Sequence, residues 1–129
     1  MDMLWIKTAN GSVSEAGVRL EKAAASRKFG VLGMLDLKEK MASKGVAFGP
    51  ACRVYEVCNP QQAKRVLERD IRIATALPCR IAVYEEGGRT TIATILPSAM
   101  IAMYATPELA GVAAEVERDI KAIVDEAAG

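Results

Sequence analysis

Three cysteines and no histidine set the limits on what chemistry this chain of 129 residues could perform. Two of the cysteines sit in distinctive contexts, Cys58-Asn59-Pro60 and Leu77-Pro78-Cys79. A thiol just ahead of a helix N-terminus is exposed to unpaired backbone N–H groups and to the positive end of the helix dipole. Both favour the thiolate. Cys58 would occupy that position, and a nearby Cys79 could then resolve it as a disulfide or share a soft ligand. Packing competes with this. Cys58 stands before the N-cap, where a small apolar residue can staple against Ala63, and Cys79 is in phase with Ile81 and Val83 and so points to the core. Packing is the favoured reading of the pair, and no CxxC spacing argues for metal. Cys52 falls on the same strand face as Cys58 but roughly 20 Å away at strand rise, too far to join it.

The remaining groups offer less. Lack of histidine removes Ser-His-Asp and Cys-His catalysis, histidine-containing zinc sites and imidazole acid–base work from this chain's own repertoire. Glu56 lies mid-strand among apolar neighbours, where a cross-strand ion pair with Arg80 or Arg53 is expected rather than a catalytic acid. Asp36, near a strand end, is ambiguous, and Glu85 and Glu86 flank a hairpin tip and are expected in solvent. Met100, Ile101, Met103 and Tyr104 form a soft apolar patch suited to core or dimer contact, with a ligand groove as the minor alternative. The glycines match no phosphate-binding loop. No catalytic residue, metal site or cofactor is assigned.

Bulk composition agrees with a modest globular domain. The length suits a single α+β domain over 1–129, and 51% hydrophobic with 26% charged residues is the balance of an ordinary folded globule. Seventeen basic against sixteen acidic side chains leave a net charge of +1, and aromatics are 5%, so neither a field for phosphates nor stacking platforms for bases are present. Nucleic acid is not an expected partner. The start, MDMLWIKTANGS, lacks the basic and apolar regions of a signal peptide, and ILPSAMIAMYA is about half the length of a membrane span and carries Pro97. A cytoplasmic location with no membrane partner is therefore expected.

The elements that must position these residues are legible in the periodicity. MLWIKT alternates as a strand, with Leu4 and Ile6 on one face and Trp5 and Lys7 on the other. Ser12 three residues before Glu15 is a capping box opening a helix from about Val13 to Lys28. FGVLGMLDL predicts a strand, KEKMASKG a short helical turn and ACRVYEVC a third strand. Asn59, Pro60 and Gln62 read as N-cap, first and third positions of another helix. CRIAVYEEGGRTTIATIL is two alternating runs around Gly87-Gly88, a two-residue hairpin turn that needs positive φ. Its register sets Val83 against Ile92 and Ile81 against Thr94, and puts Tyr84, Ala82, Ala93 and Ile95 on the opposite face. In the last segment Thr106 caps, Pro107 begins, and an apolar stripe from Leu109 to Ala127 completes a long helix. The fold class is thus α+β: a mostly antiparallel five-stranded sheet with helices on one face, in the order strand, helix, strand, strand, short helix, strand, strand, helix.

The blocks GVLGMLDLKEKMASKG, CNPQQAKRVLE and LPCRIAVYEEGG, followed by ILPSAM and the terminal helix, resemble the bacterial and archaeal family called domain of unknown function 302. The likeness runs from Ser12 to Ala127, and its most specific parts are Cys58-Asn59-Pro60 and Leu77-Pro78-Cys79 at their mutual spacing. It implies a compact domain similar to one TATA-binding-protein-like unit, forming a homodimer, with the last four strands as an antiparallel meander. It implies no activity. In that meander Cys58 and Cys79 would approach each other at one end of adjacent strands.

Two function classes follow. The first is a small, non-enzymatic, dimeric binding or accessory protein whose ligand is unknown. The second is a thiol-dependent sulfur carrier or redox sensor using Cys58 and Cys79, with Asn59 and Pro60 completing the site. An enzyme is the less expected outcome. The homodimer is expected on physical grounds too: both hairpin faces are apolar, and two substantial helices can cover only one of them. The face with Tyr84, Ala82, Ala93 and Ile95 then needs a partner.

Overall fold

The computed structural model describes residues 3–129. Five strands, β1 (Leu4–Ala9), β2 (Gly30–Asp36), β3 (Cys52–Cys58), β4 (Cys79–Glu86) and β5 (Arg89–Ile95), form one sheet in the order β1-β5-β4-β3-β2. Every neighbouring pair is antiparallel. The last four strands are therefore a meander, and β1 adds to the free edge of β5. Helices α1 (Val13–Ser26), α2 (Leu37–Ala42), α3 (Pro60–Arg69), α4 (Pro97–Ala102) and α5 (Ala110–Ala128) complete the chain, with 3₁₀ turns at Ile71–Ala76 and Pro107–Leu109.

The hairpin follows directly from its turn. Gly87 and Gly88 have φ of 60° and 75°, a conformation that L side chains resist, and this locks Glu86 opposite Arg89. Val83 then pairs with Ile92 and Ile81 with Thr94, as the alternation predicts. The same register carries across the sheet, so Ile81, Val83, Ile92, Tyr55 and Val57 share one face and are buried there. Helices α1 and α5 pack on each other and on that face. Their stripes, Val13, Ala16, Leu20, Ala23 and Ala24 from α1 and Val112, Val116, Ile120, Ile123, Val124 and Ala127 from α5, are buried in the same core.

One close approach fixes how near α1 comes. A Cβ on Gly17 would lie 2.0 Å from the Tyr55 hydroxyl oxygen, so the absence of a side chain at 17 is what lets the ring lie under the helix. The start of α1 is held by the capping box: Glu15 N–H donates to Ser12 Oγ at 3.0 Å and Ser12 N–H to Glu15 Oε1 at 2.9 Å. Arg19 Nε donates to the Ala127 carbonyl at 2.8 Å, placing a cation at the C-terminal end of α5 and tying the two helices together.

Two expectations need correction. Thr106 does not cap the long helix through its side chain; a 3₁₀ turn over Pro107–Leu109 comes first and α5 starts at Ala110. Its Oγ1 instead donates to Asp70 Oδ2 at 3.0 Å, serving the junction between α3 and the following 3₁₀ turn. The segment after Pro97, read only as a soft apolar patch, is the short helix α4, packed against α5.

Candidate functional site

Cys58 is the last residue of β3 and Cys79 the first of β4, so the two thiols do come to one end of adjacent strands. They are not directly opposed. Val57 pairs with Cys79, whereas Cys58 pairs with Gly30 on the other side. That one-residue offset arises because β3 and β4 are joined through α3 and a 3₁₀ turn instead of a short hairpin whose turn type would dictate the register. Cys79 is buried and Cys58 half-buried; all three cysteines are free thiols.

Asn59 behaves as its sequence position predicts. Its Oδ1 accepts from Gln61 N–H at 3.0 Å and Gln62 N–H at 3.2 Å, with Pro60 as the first helical residue. The donors that could have stabilised a Cys58 thiolate are thus occupied by the cap. Burial pushes the Cys58 thiol up, and it pushes Cys79 up to about 11, with the neighbouring Cys58 adding to the shift. Cys52 is raised as well, by burial first and then by Asp36. At neutral pH these are protonated thiols, poor nucleophiles and poor metal ligands. Among the described residues no group of three or more His, Cys, Asp or Glu side chains is placed to hold a metal ion.

Cys58 and Cys79 do share a small cavity of about 30 Å³ with Phe29, Asn59, Gln62 and Val66 in its wall. Sequence reasoning placed Gln62 only as a helical position. The structure shows it 7% exposed, its Nε2 donating to Asp119 Oδ2 at 3.1 Å while Oε1 has no partner. Its polar type at an inward helical position was the available signal.

The second candidate region is the sheet face away from α1 and α5. Register places Leu4 and Ile6 of β1, Ala93 and Ile95 of β5, Ala82 and Tyr84 of β4 and Val54 of β3 side by side on it. No helix among the described residues covers them: Leu4 is 46%, Ile6 52% and Ile95 46% exposed. A groove of about 390 Å³ runs along this face between Leu4, Tyr84, Ile95 and Met100. Among the described residues, Glu56 and Arg80 form an ion pair on it, directly opposed on β3 and β4 at 3.8 Å. Arg53 pairs instead with Asp36, at 3.7 Å, which also caps α2 by accepting from Glu39 N–H. Glu85 is exposed as expected, and it accepts from Ala51 N–H at 2.7 Å.

No helix of the described residues is long and apolar enough to cross a membrane. No curated protein matches the chain. A crystal structure of an uncharacterized conserved DUF302 protein from Bacillus stearothermophilus is similar over 98% of this chain and 99% of that one, with 32% identity and a TM-score of 0.94. The family model of the domain of unknown function DUF302 matches residues 5–127, which takes in all of the sheet but Leu4, both thiols and nearly all of the terminal helix. The chain belongs to the DUF302 family.

Proposed function

We propose that this protein is a non-enzymatic binding or accessory domain that works as a homodimer, joined through its uncovered sheet face. The observation that carries the reading is the apolar character of that face, over which no helix of the described residues lies. An antiparallel sheet with a solvated side ordinarily alternates apolar inward with polar outward. Here Leu4, Ile6, Ile95, Ala82, Ala93 and Val54 face outward. Five strands about 4.8 Å apart and about 20 Å long present on the order of 500 Å² in projection. Side-chain relief takes the true area toward the roughly 800 Å² per partner of a standard interface.

A two-fold axis through the face would set it against itself, two sheets about 10 Å apart with interdigitated side chains. Arg80, 58% exposed in its side chain, is poised to reach across, and Glu56 beside it is the matching acid. Each copy's pair would meet its symmetry mate with opposite charges adjacent. The raised thiols and the occupied helix cap support a packing role for Cys58 and Cys79 over sulfur transfer or redox sensing.

Sedimentation equilibrium at micromolar concentration tests this. Twice the chain mass is expected, and Ala93→Glu, which puts a charge mid-face, should give a monomer with an unchanged circular dichroism spectrum. A monomeric parent, or a dimer that ignores Ala93→Glu, would remove the proposal.

A further inference from the structure

The uncovered sheet face is shallowest at its centre. β4 is the middle strand, and its Ala82 pairs with Ala93 of β5 on one side and with Val54 of β3 on the other. Ile6 of β1 stands opposite Ala93. Two alanines therefore lie between larger side chains in this row. Along β4 the same face carries Arg80 before Ala82 and Tyr84 after it, roughly 13 Å apart at strand rise. The groove of about 390 Å³ runs over these positions, a volume within the range of small-molecule sites. Pro78, just ahead of β4, and Met100 of α4, which follows β5, add wall at the Arg80 end.

Arg80 supplies the charge. Among the described residues of the wall it alone is ionic, and the other polar side chains are the Tyr84 phenol and Thr94, whose hydroxyl donates to the Arg80 carbonyl at 2.7 Å. Glu56 does not line the groove, and its Oε2 is 3.8 Å from Arg80 Nε, beyond hydrogen-bond length. The guanidinium thus keeps donors for a further acid. A planar carboxylate matches its fork with two parallel N–H···O bonds. A doubly charged phosphate would leave one charge uncompensated beside Glu56.

The body of the ligand follows from the homodimer reading, on which this inference rests. Sheets packed face to face stand about 10 Å apart because side chains from both fill the gap. A two-fold axis through the centre of this face passes close to Ala82 and sets alanines against alanines. Methyl groups alone do not fill such a gap at the packing density of an interior. An alkyl chain does, and it meets only apolar wall between Arg80 and Tyr84.

We propose that each copy's groove binds a medium-chain aliphatic carboxylate. The carboxylate sits on the Arg80 fork, the alkyl chain lies over Ala82 and Ala93 towards Tyr84, and the second copy covers the open side. The site takes in Met100, one of the soft apolar residues after Pro97, as part of its wall.

The probe is octanoate, titrated into the intact protein with methyl NMR as the readout and sedimentation run on the same samples. Saturable shifts are expected at the Ala82, Ala93 and Met100 methyl groups, approaching one octanoate per chain. 1-Octanol, which keeps the chain and lacks the charge, should bind roughly tenfold more weakly, the loss of a charge-assisted hydrogen bond. Arg80→Gln should bring octanoate down to the level of 1-octanol and leave 1-octanol unchanged. Should that variant not fold or not associate, the ratio of octanoate to 1-octanol affinity in the parent decides the matter alone. A dimeric parent with no saturable shift, with equal affinity for the two probes, or with shifts confined to other methyl groups overturns this inference and leaves the homodimer standing. A monomeric parent removes the homodimer and the enclosed site together, whether or not octanoate binds.

Discussion

The two faces of the sheet are built from much the same residue types and meet opposite fates. On one side Ile81, Val83 and Ile92 are fully buried under α1 and α5; on the other Ile95, Ile6 and Leu4 stand about half exposed. Strand alternation decides which residues share a face, but it says nothing about what covers that face. Cover is a matter of helix supply. Of the helices, only α1 and α5 are long, with 14 and 19 residues, and both lie on the same side. An isoleucine in this sheet therefore lies in the core or on the uncovered face according to the parity of its position.

The sharpest way to break that comparison is to make one substitution on each face. Ile81→Ala removes a fully buried side chain beneath α1 and should cost about 2–5 kcal/mol in urea unfolding. Ile95→Ala, measured below the concentration at which copies associate, should cost under about 1 kcal/mol. Its larger effect should be on association. Equal losses at both positions under dilute conditions would mean that the uncovered face is packed within the single chain.

A second probe asks whether the covered side is as tight as it looks. Gly17→Ala would ordinarily help a helix by roughly 1 kcal/mol. Here the new methyl meets the Tyr55 hydroxyl oxygen at 2.0 Å and the ring carbon bearing it at 2.9 Å, so α1 or the ring must move. Overpacking of this kind costs about 1–3 kcal/mol, and the net result should be a lower melting temperature. Adding Tyr55→Phe removes the closest atom and should restore part of the loss. A Gly17→Ala variant as stable as the parent would show that α1 rides higher over the sheet than its contacts indicate.

These two residues also show where sequence reading stops. The hairpin was fully legible because Gly87-Gly88 admits few turn types, and the turn then dictates every pair from Glu86 opposite Arg89 to Ile81 opposite Thr94. The caps at Ser12 and Asn59 were legible for the same local reason. Gly17, in contrast, reads as one small residue among several on a helix stripe, since nothing nearby in sequence announces Tyr55. The thiols fall between these cases. Their meeting at one sheet end followed from antiparallel neighbours, but the one-residue offset did not, because α3 and a 3₁₀ turn separate the strands and carry no register rule. Gln62 was readable as a helical position, while its unpaired oxygen depends on Asp119 of a distant helix.

Alkaline titration sharpens the comparison at the sheet end. Cys79 is held up to about 11 by burial, above the ordinary thiol value of the unfolded chain. The folded state then binds this proton more tightly, so its contribution is complete below the unfolded pKa and is lost as pH rises through the folded one. Between pH 9 and 10 the loss should be on the order of 1 kcal/mol. Cys79→Val keeps the apolar packing and cannot titrate, so its stability should fall less steeply over that unit. Parallel slopes for the two proteins would show that Cys79 is open to solvent, and that the covered face frays at this end.

The smallest effect belongs to Asn59, which stands where the covered core gives way to α3. Asn59→Ala leaves Gln61 N–H and Gln62 N–H without their acceptor at the first turn of α3. A lost N-cap costs about 0.5–1 kcal/mol where water can reach the freed donors, and half-buried Asn59 sits at such a place. Pro60 still starts the helix, so α3 should fray without melting. The uncovered sheet face lies on other residues, and sedimentation of the variant should be that of the parent. A change of mass with no change of melting temperature would reverse the assignment, making the Cys58-Asn59-Pro60 corner part of the interface and leaving the sheet face to some other use.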